Sequence, residues 1–541
     1  MMDASGSSAQ ANKTMRGIGS SHSFGLAAGV SGKRLALLGL ALIALPAWAS
    51  SAPPDVPKYS VTFDAQLTHA DVRLCLDRAH AQVEFAPDSA RAMRFLSAMR
   101  RSSTGDLQVV GGSWLARDWA AGECVAYTAD LAAIVDQGSD AGKRYGKNLV
   151  TDPQQWLVRA SAQGASGAEA TMELPEGWSI SAPWRELSRN GTSIRFKIPD
   201  TPQDWSASLV LGEFEQTRID LPGGAVRVAL LNGKGGEQAR LAEWLRIEAQ
   251  AFLGTYGRLP VADVQIWLVS VDSASLAKRY AGMIEPGAVL GGESARGQGN
   301  ALQLDVDPSR PAQEFVEDWT AIHELSHLLH PYLGDRGSWL SEGLATYYQN
   351  VLRARGALLS PEQAWERLAS GFQRSEGGPY PQSLEQAAAN MGQSPAFQRV
   401  YWSGAAYWLG VDVDLRRATR GKITLDTALA AFRGCCLPAY REWKPEEFVA
   451  KLDGLAGVHT FTRQYHRFAA MKRFPDWRAT LARLGVNGSQ DALTFGADAP
   501  DACIREAITA ARIDVANAPD QRDGSAPQTG VSGIRPHCLP Q

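Results

Sequence analysis

A chain of 541 residues with 45% apolar residues, 21% charged residues and a net charge of −3 has the composition of an ordinary globular protein with room for two to four domains. It lacks the clustered basicity of a nucleic-acid binder. Beyond residue 50 no apolar run is long enough to span a bilayer, so nucleic acid and a stable membrane anchor are not expected partners.

Residues 1–49 read as a signal peptide. Lys33 and Arg34 precede an apolar run from Leu35 to Leu45, and Ala47 and Ala49 offer small residues at the cleavage positions. Met15 is an alternative start, and an uncleaved N-terminal anchor is the alternative reading of the segment. No cysteine follows the cleavage site, which argues against a lipoprotein. Cleavage removes four basic residues and one acid, taking the net charge from −3 to −6. The expected location is exported, periplasmic or secreted.

Residues 55–222 carry a β pattern. Tyr59 to Phe63 alternates, and Asn190-Gly191 signals a turn before Ser193 to Ile198. A β-sandwich is expected, either walling a cleft or standing free of it. Residues 225–395 are mixed. Val226 to Leu231 and Gln265 to Val269 read as strands, and Leu241, Trp244, Leu245 and Phe252 mark a helix face.

A longer helix is expected from Pro311 to about Leu329, with Phe315, Trp319, Ile322 and Leu329 on its buried side. It contains His323-Glu324-Leu325-Ser326-His327. Residues i and i+4 share a helix face, so His323 and His327 can turn two imidazoles toward one metal, and Glu324 lies beside them as a general base. Pro331 marks the end of this helix, and Gly334 to Gly337 form a turn. Ser338 caps a second helix running to about Arg353. Helix, turn and helix return Glu342 over the histidines as a third ligand, the His/His/Glu set of catalytic zinc. His330 reads as a helix-end residue rather than a ligand.

His323-Glu324-x-x-His327 followed by Trp339-Leu340-x-Glu342-Gly343 resembles the gluzincin metallopeptidases, and the short gap before Glu342 resembles the glycyl aminopeptidase family in particular. Val400 to Ala406 resembles a segment in which that family's tyrosine stabilises the tetrahedral intermediate. The matching position is Tyr401, while Ser403 stands where the family has lysine. Leu174 to Trp178 and the stretch from Asp414 to Asp426 are similar to further family segments. Gly291-Gly292-Glu293 is the nearest match to the family's substrate-binding edge strand. Gly292 would meet the substrate backbone, and Glu293, one place out of register, a free amine.

The resemblance implies an α+β multidomain fold: an N-terminal β-sandwich, a thermolysin-like zincin catalytic domain and a C-terminal helical domain over residues 396–515. It implies bound Zn2+ and a peptide substrate. The expected activity is that of an exported zinc metallopeptidase, aminopeptidase-like, with Glu324 and Tyr401 catalytic. The alternative is a weak or silent gluzincin-fold binding protein of the cell envelope.

Arg367 to Gly392 looks rich in loops, and residues 516–541 form a polar tail. Cys75 and Cys124 are expected to pair in the N-terminal region. Cys435 and Cys436 are each expected to bond Cys503 or Cys538, with Cys503–Cys538 left open. Trp114, Trp119, Trp402 and Trp408 are expected in cores rather than on a carbohydrate platform. The sequence sets no oligomeric state.

Overall fold

The computed structural model describes residues 55–512 apart from 90, 104, 139–140, 280–285, 296, 394–395 and 490–491. The expected signal peptide and the tail after 516 lie outside the described residues.

The N-terminal β region folds as three sheets around one core. An eight-stranded sheet contains Lys58–Phe63, His69–Cys75, Cys124–Asp130 and Ala168–Glu173, and two four-stranded sheets complete the unit. Strict alternation in Lys58–Phe63 and Ala168–Glu173 puts one face of the large sheet into that core. The third sheet arises because His80–Ala86 pairs with Ser113–Trp119 instead of joining the large sheet. Phe85 packs against Trp119 there, with ring centroids 5.3 Å apart. Cys75 and Cys124 face each other in register on adjacent strands and are disulfide-bonded as expected.

The second sheet has the order Gln216–Leu221, Gly224–Leu231, Asp263–Ser270, Ala301–Val306, Val289–Ala295. Its three inner strands are parallel, and Val289–Ala295 runs antiparallel along one edge. Val226, Val228 and Leu230 point to one face, toward the helices. Ala229 and Leu231 point to the other, where with Trp267 and Val269 they meet Val150 and Val210 of the N-terminal unit.

Helices Phe397–Thr419, Leu425–Cys436, Pro445–Ala456, Thr460–Ala469 and Ala502–Thr509 share a single core with this sheet. A buried ion pair ties them to the helix Ser338–Arg355, Arg355 meeting Asp426 at 2.9 Å, and within Phe397–Thr419 Arg416 meets Asp412 at 2.9 Å. The hydroxyls of Tyr347 and Tyr348 donate to Asp412 and Asp426. Such a network fixes one docking of the helices, because breaking any pair leaves a buried charge uncompensated.

Three expectations need correction. The helix through Trp319 is broken. Ala312–Glu317 ends at Asp318, whose backbone is extended and whose side chain accepts from the Thr320 N–H at 2.7 Å to start a new helix, Thr320–Ser326. A 3-10 turn, His327–Leu329, then continues it. Arg367 to Gly392 is largely helical, because Ser360 and Ser383 form capping boxes that start Pro361–Ser375 and Leu384–Ala389. Cys435 and Cys436 bond each other at the last turn of Leu425–Cys436, where the next residue, Leu437, has left the helical backbone. Cys503 is also disulfide-bonded, and Cys538 lies outside the described residues. His330 is a helix-end residue as expected, closing the turn His327–Leu329, and it is buried there. Trp114, Trp119, Trp402 and Trp408 are all buried, as expected of core residues.

Candidate metal centre

Every residue from Thr320 to Ser326 is buried, so the helix bearing His323 and Glu324 is an interior element rather than an amphipathic surface one. It cannot pass His330. The residue before a proline is driven out of the helical region, and His330 is extended ahead of Pro331. Gly334, at φ 63°, turns the chain back. Ser338–Arg355 then runs past the histidines, and between Trp339 and Arg355 every residue but Glu342 is buried. Its side chain is 18% exposed, which marks where the cleft reaches this helix.

The two imidazoles and this carboxylate converge. His323 Nε2 lies 3.2 Å and His327 Nε2 3.6 Å from Glu342 Oε2, and the three ligand atoms lie within 4.8 Å of one another. Ligands bonded at about 2.0–2.1 Å with tetrahedral angles stand roughly 3.3 Å apart, so this spacing fits zinc.

The other ring nitrogens are held. His323 Nδ1 donates to Gln349 Oε1 at 2.8 Å. His330 Nδ1 donates to the Pro331 carbonyl at 2.8 Å, which leaves its Nε2 as an acceptor. Ser341 Oγ lies 3.3 Å from that Nε2 and 3.1 Å from His327 Nδ1. The consistent assignment is His327 Nδ1–H to Ser341, and Ser341 O–H to His330. Both ligand histidines thereby turn Nε2, the nitrogen free to lose its proton to a metal, to the same point. Neither Gln349 nor Ser341 was singled out from sequence. Gln349 sits two helical turns beyond Glu342, on the same face, and that spacing was the available signal.

The electrostatics follow from this convergence. Burial acts to lower the basicity of His323, but the Glu342 carboxylate and the Glu324 charge prevail and raise its pKa. Burial acts to raise Glu342, but the charge of His327 and the hydrogen bonds of both histidines hold it well below the usual carboxylate range. A carboxylate held ionised beside two imidazoles suits a divalent cation, which would take the place of their protons.

Tyr401 comes from the helix Phe397–Thr419. Its ring stacks on His323 with centroids 6.0 Å apart, and its hydroxyl hydrogen-bonds Glu342. Burial, then the charges of Glu342 and Glu324, push its pKa well above that of free tyrosine, so it remains a donor at any ordinary pH. Two glycines place it. A Cβ on Gly404 would collide with the Trp339 carbonyl oxygen and stand 2.7 Å from Gly343 Cα, and a Cβ on Gly343 would stand 2.8 Å from Ala405 N. The two helices therefore cross in backbone contact, one residue past Glu342 and three past Tyr401.

Glu324 is buried beside the edge strand. A Cβ at Gly292 would stand 2.8 Å from Glu324 Cγ and 2.7 Å from Thr320 Cγ2, so the strand can pass this close only as glycine. Alternation directs the Glu293 side chain to the opposite face of that strand from the one against Glu324. The structure thus gathers His323, His327, Glu342, Glu324, Tyr401 and the Gly292 backbone into one site.

No family model matches the sequence, and no curated protein does. Solved structures do match. An aminopeptidase N family protein from Idiomarina loihiensis superimposes with a TM-score of 0.58 at 14% identity, over 80% of this chain and 78% of that one. The chain shares that fold. The M1 zinc metallopeptidase from Deinococcus radiodurans is a looser match, with a TM-score of 0.46 at 12% identity over 78% of this chain and 94% of that one. A mutant of that enzyme bound to a Tyr-Ser-Ala substrate gives 0.46 at 14% identity, over 79% and 95%. Likenesses that loose carry no weight for the site.

Proposed function

We propose that this chain is an exported zinc-dependent peptidase. The observation that carries the reading is the convergence of two imidazole Nε2 atoms and one carboxylate at tetrahedral spacing, with Glu324 and Tyr401 flanking it. Bound there by His323, His327 and Glu342, zinc would supply Lewis-acid polarisation of the scissile carbonyl and a lowered pKa for an attacking water. Glu324 takes the proton from the attacking water and delivers it to the leaving amine. The Tyr401 hydroxyl donates to the oxyanion as it develops. The substrate backbone lies along the edge strand Val289–Ala295 at Gly292, pairing as an added strand. Glu293, the one acid on that strand, leaves it on the face opposite Glu324 and is assigned to a free substrate amine lying past the strand's edge.

Export is supported by the N-terminal segment and by the Cys75–Cys124 pair, which suits an oxidising compartment. It is tested by finding the mature N-terminus at Ser50 in an extracytoplasmic fraction.

The deciding experiment combines metal analysis with a peptide library of free and blocked N-termini. The purified chain should hold about one zinc. It should cleave peptides, and lose that ability but keep the metal in Glu324→Gln. Preference for free amines that disappears in Glu293→Ala would establish the aminopeptidase form. A chain that binds zinc and cleaves nothing would be the silent binding protein instead.

A further inference from the structure

On the far side of the five-stranded sheet, away from His323, lies a cleft of about 480 Å³. Its walls come from both halves of the protein. Ser179 and the segment Glu186–Arg189 belong to the N-terminal unit, while Gln216, Arg218, Arg227 and Asp263 belong to the sheet. Strand alternation explains the polarity. Val226 and Val228 face the same core as Ile322 and Leu325, so Arg227 between them faces the opposite way. Arg218 is its direct cross-strand partner, and Gln216 lies one pair further along the same face, opposite Ala229.

Arg227 is 4% exposed. One of its terminal nitrogens, Nη2, donates to the carbonyls of Ala182 and Trp184. Its Nε and Nη1 are buried and donate to nothing, and so is Gln216 Nε2. The nearest acid, Asp263, stands 4.0 Å from Nε, beyond hydrogen-bond reach. Two more guanidiniums join it. Arg189 spends Nε and Nη2 on Glu186, and Arg218 spends Nε on Asp220, so both keep terminal donors for the cleft. Buried native donors are nearly always paired with protein, water or ligand. Here charged and amide donors from two strands stand unpaired on the wall of a cavity of ligand size.

We propose that this cleft binds a small oxyanion, a carboxylate- or phosphate-bearing molecule, across the seam between the N-terminal unit and the catalytic sheet. Arg227 and Gln216 take its buried oxygens, and Arg189 and Arg218 close on it from the rim. Because the ligand touches both units, it ties them together without touching the metal centre.

The test is isothermal titration of the zinc-loaded full chain, at low ionic strength, with inorganic phosphate and separately with glutarate. Sodium chloride at equal ionic strength is the control. One site per chain is expected, with chloride producing no comparable heat. The probe that binds more tightly identifies the anion class. Arg189→Ala and Arg218→Ala, both at exposed positions, should each weaken it about tenfold. Arg227→Met should abolish it, and the two rim variants decide the matter if that variant fails to fold. His323→Ala must leave it unchanged, which separates this site from any anion held at the zinc. Absence of binding by either probe, equal binding by the rim variants, or loss of binding in His323→Ala would each overturn the proposal.

Discussion

Gly404→Ala should damage the protein in two measurable ways at once. The added Cβ would stand 2.7 Å from Gly343 Cα, where 3.4 Å is the near limit of ordinary contact, and the Trp339 carbonyl oxygen is nearer still. Backbone cannot rotate aside as a side chain does, so the two helices must part by about 1 Å. Overpacking of this sort costs about 1–3 kcal/mol, and the carbonyl clash points to the upper end. The same displacement carries Tyr401 away from Glu342, and misplacements near 1 Å lower turnover roughly a hundredfold. Gly410→Ala on the same helix is the control. Its Cβ would meet nothing within 4 Å, so the change should stabilise the helix by about 0.5–1 kcal/mol. Both variants would be compared by denaturant unfolding, zinc content and kcat on a library-selected peptide. Stability and kcat no worse for Gly404→Ala than for Gly410→Ala would refute the crossing as the element that sets the tyrosine.

Tyr401→Phe should lower kcat about a hundredfold with little change in KM and full zinc retention, and steady-state kinetics with metal analysis would check it. Gln349→Leu, which frees His323 Nδ1, should weaken zinc affinity about 10- to 100-fold in a competition titration against a chelator. Glu248 is buried with neither oxygen hydrogen-bonded, and burial raises its pKa to about 8. The folded chain therefore keeps a proton that the unfolded chain releases above about 4.5, and the contribution of Glu248 makes stability slope downward as pH rises from 4.5 to 8. Glu248→Gln should remove that slope. It should match the parent near pH 4.5 and exceed it by on the order of a few kcal/mol at pH 8, read from urea midpoints.

The parts of the site that were legible were those fixed by local spacing. Two histidines one turn apart and a glutamate after a proline-glycine turn determine their own convergence, so His323, His327 and Glu342 could be read directly. Tyr401 is far along the chain, and only resemblance pointed to it. What escaped notice depends on tertiary contact. Ser341 and Gln349 matter because of the particular ring nitrogens they meet. Gly343 and Gly404 matter only as a pair, since each looks like an unremarkable small residue alone. The break at Asp318 was available in principle, because an aspartate two residues before a threonine can restart a helix, but the apolar period through Trp319 overrode it. The strand pattern of the N-terminal half was readable, whereas its division into three sheets rests on which strands pair, and alternation does not encode pairing.

The single core that joins the catalytic sheet to the helices after Phe397 has a consequence for biosynthesis. His323 and Glu342 leave the ribosome long before Asp412, Asp426 and the helix Ala502–Thr509 that closes on Arg355 through the Ile508 carbonyl. At about 5–20 residues per second, the intervening stretch takes roughly ten to forty seconds to make. Early in that interval the Arg355 side chain has the Gly254 carbonyl but neither Asp426 nor the Ile508 carbonyl, and the face of Ser338–Arg355 that Tyr401 later covers is bare. The nascent chain therefore carries the ligands of a metal site without the walls that shape it, and a chain cut short anywhere before Thr509 should emerge as a substrate for quality-control proteases rather than as a shorter enzyme.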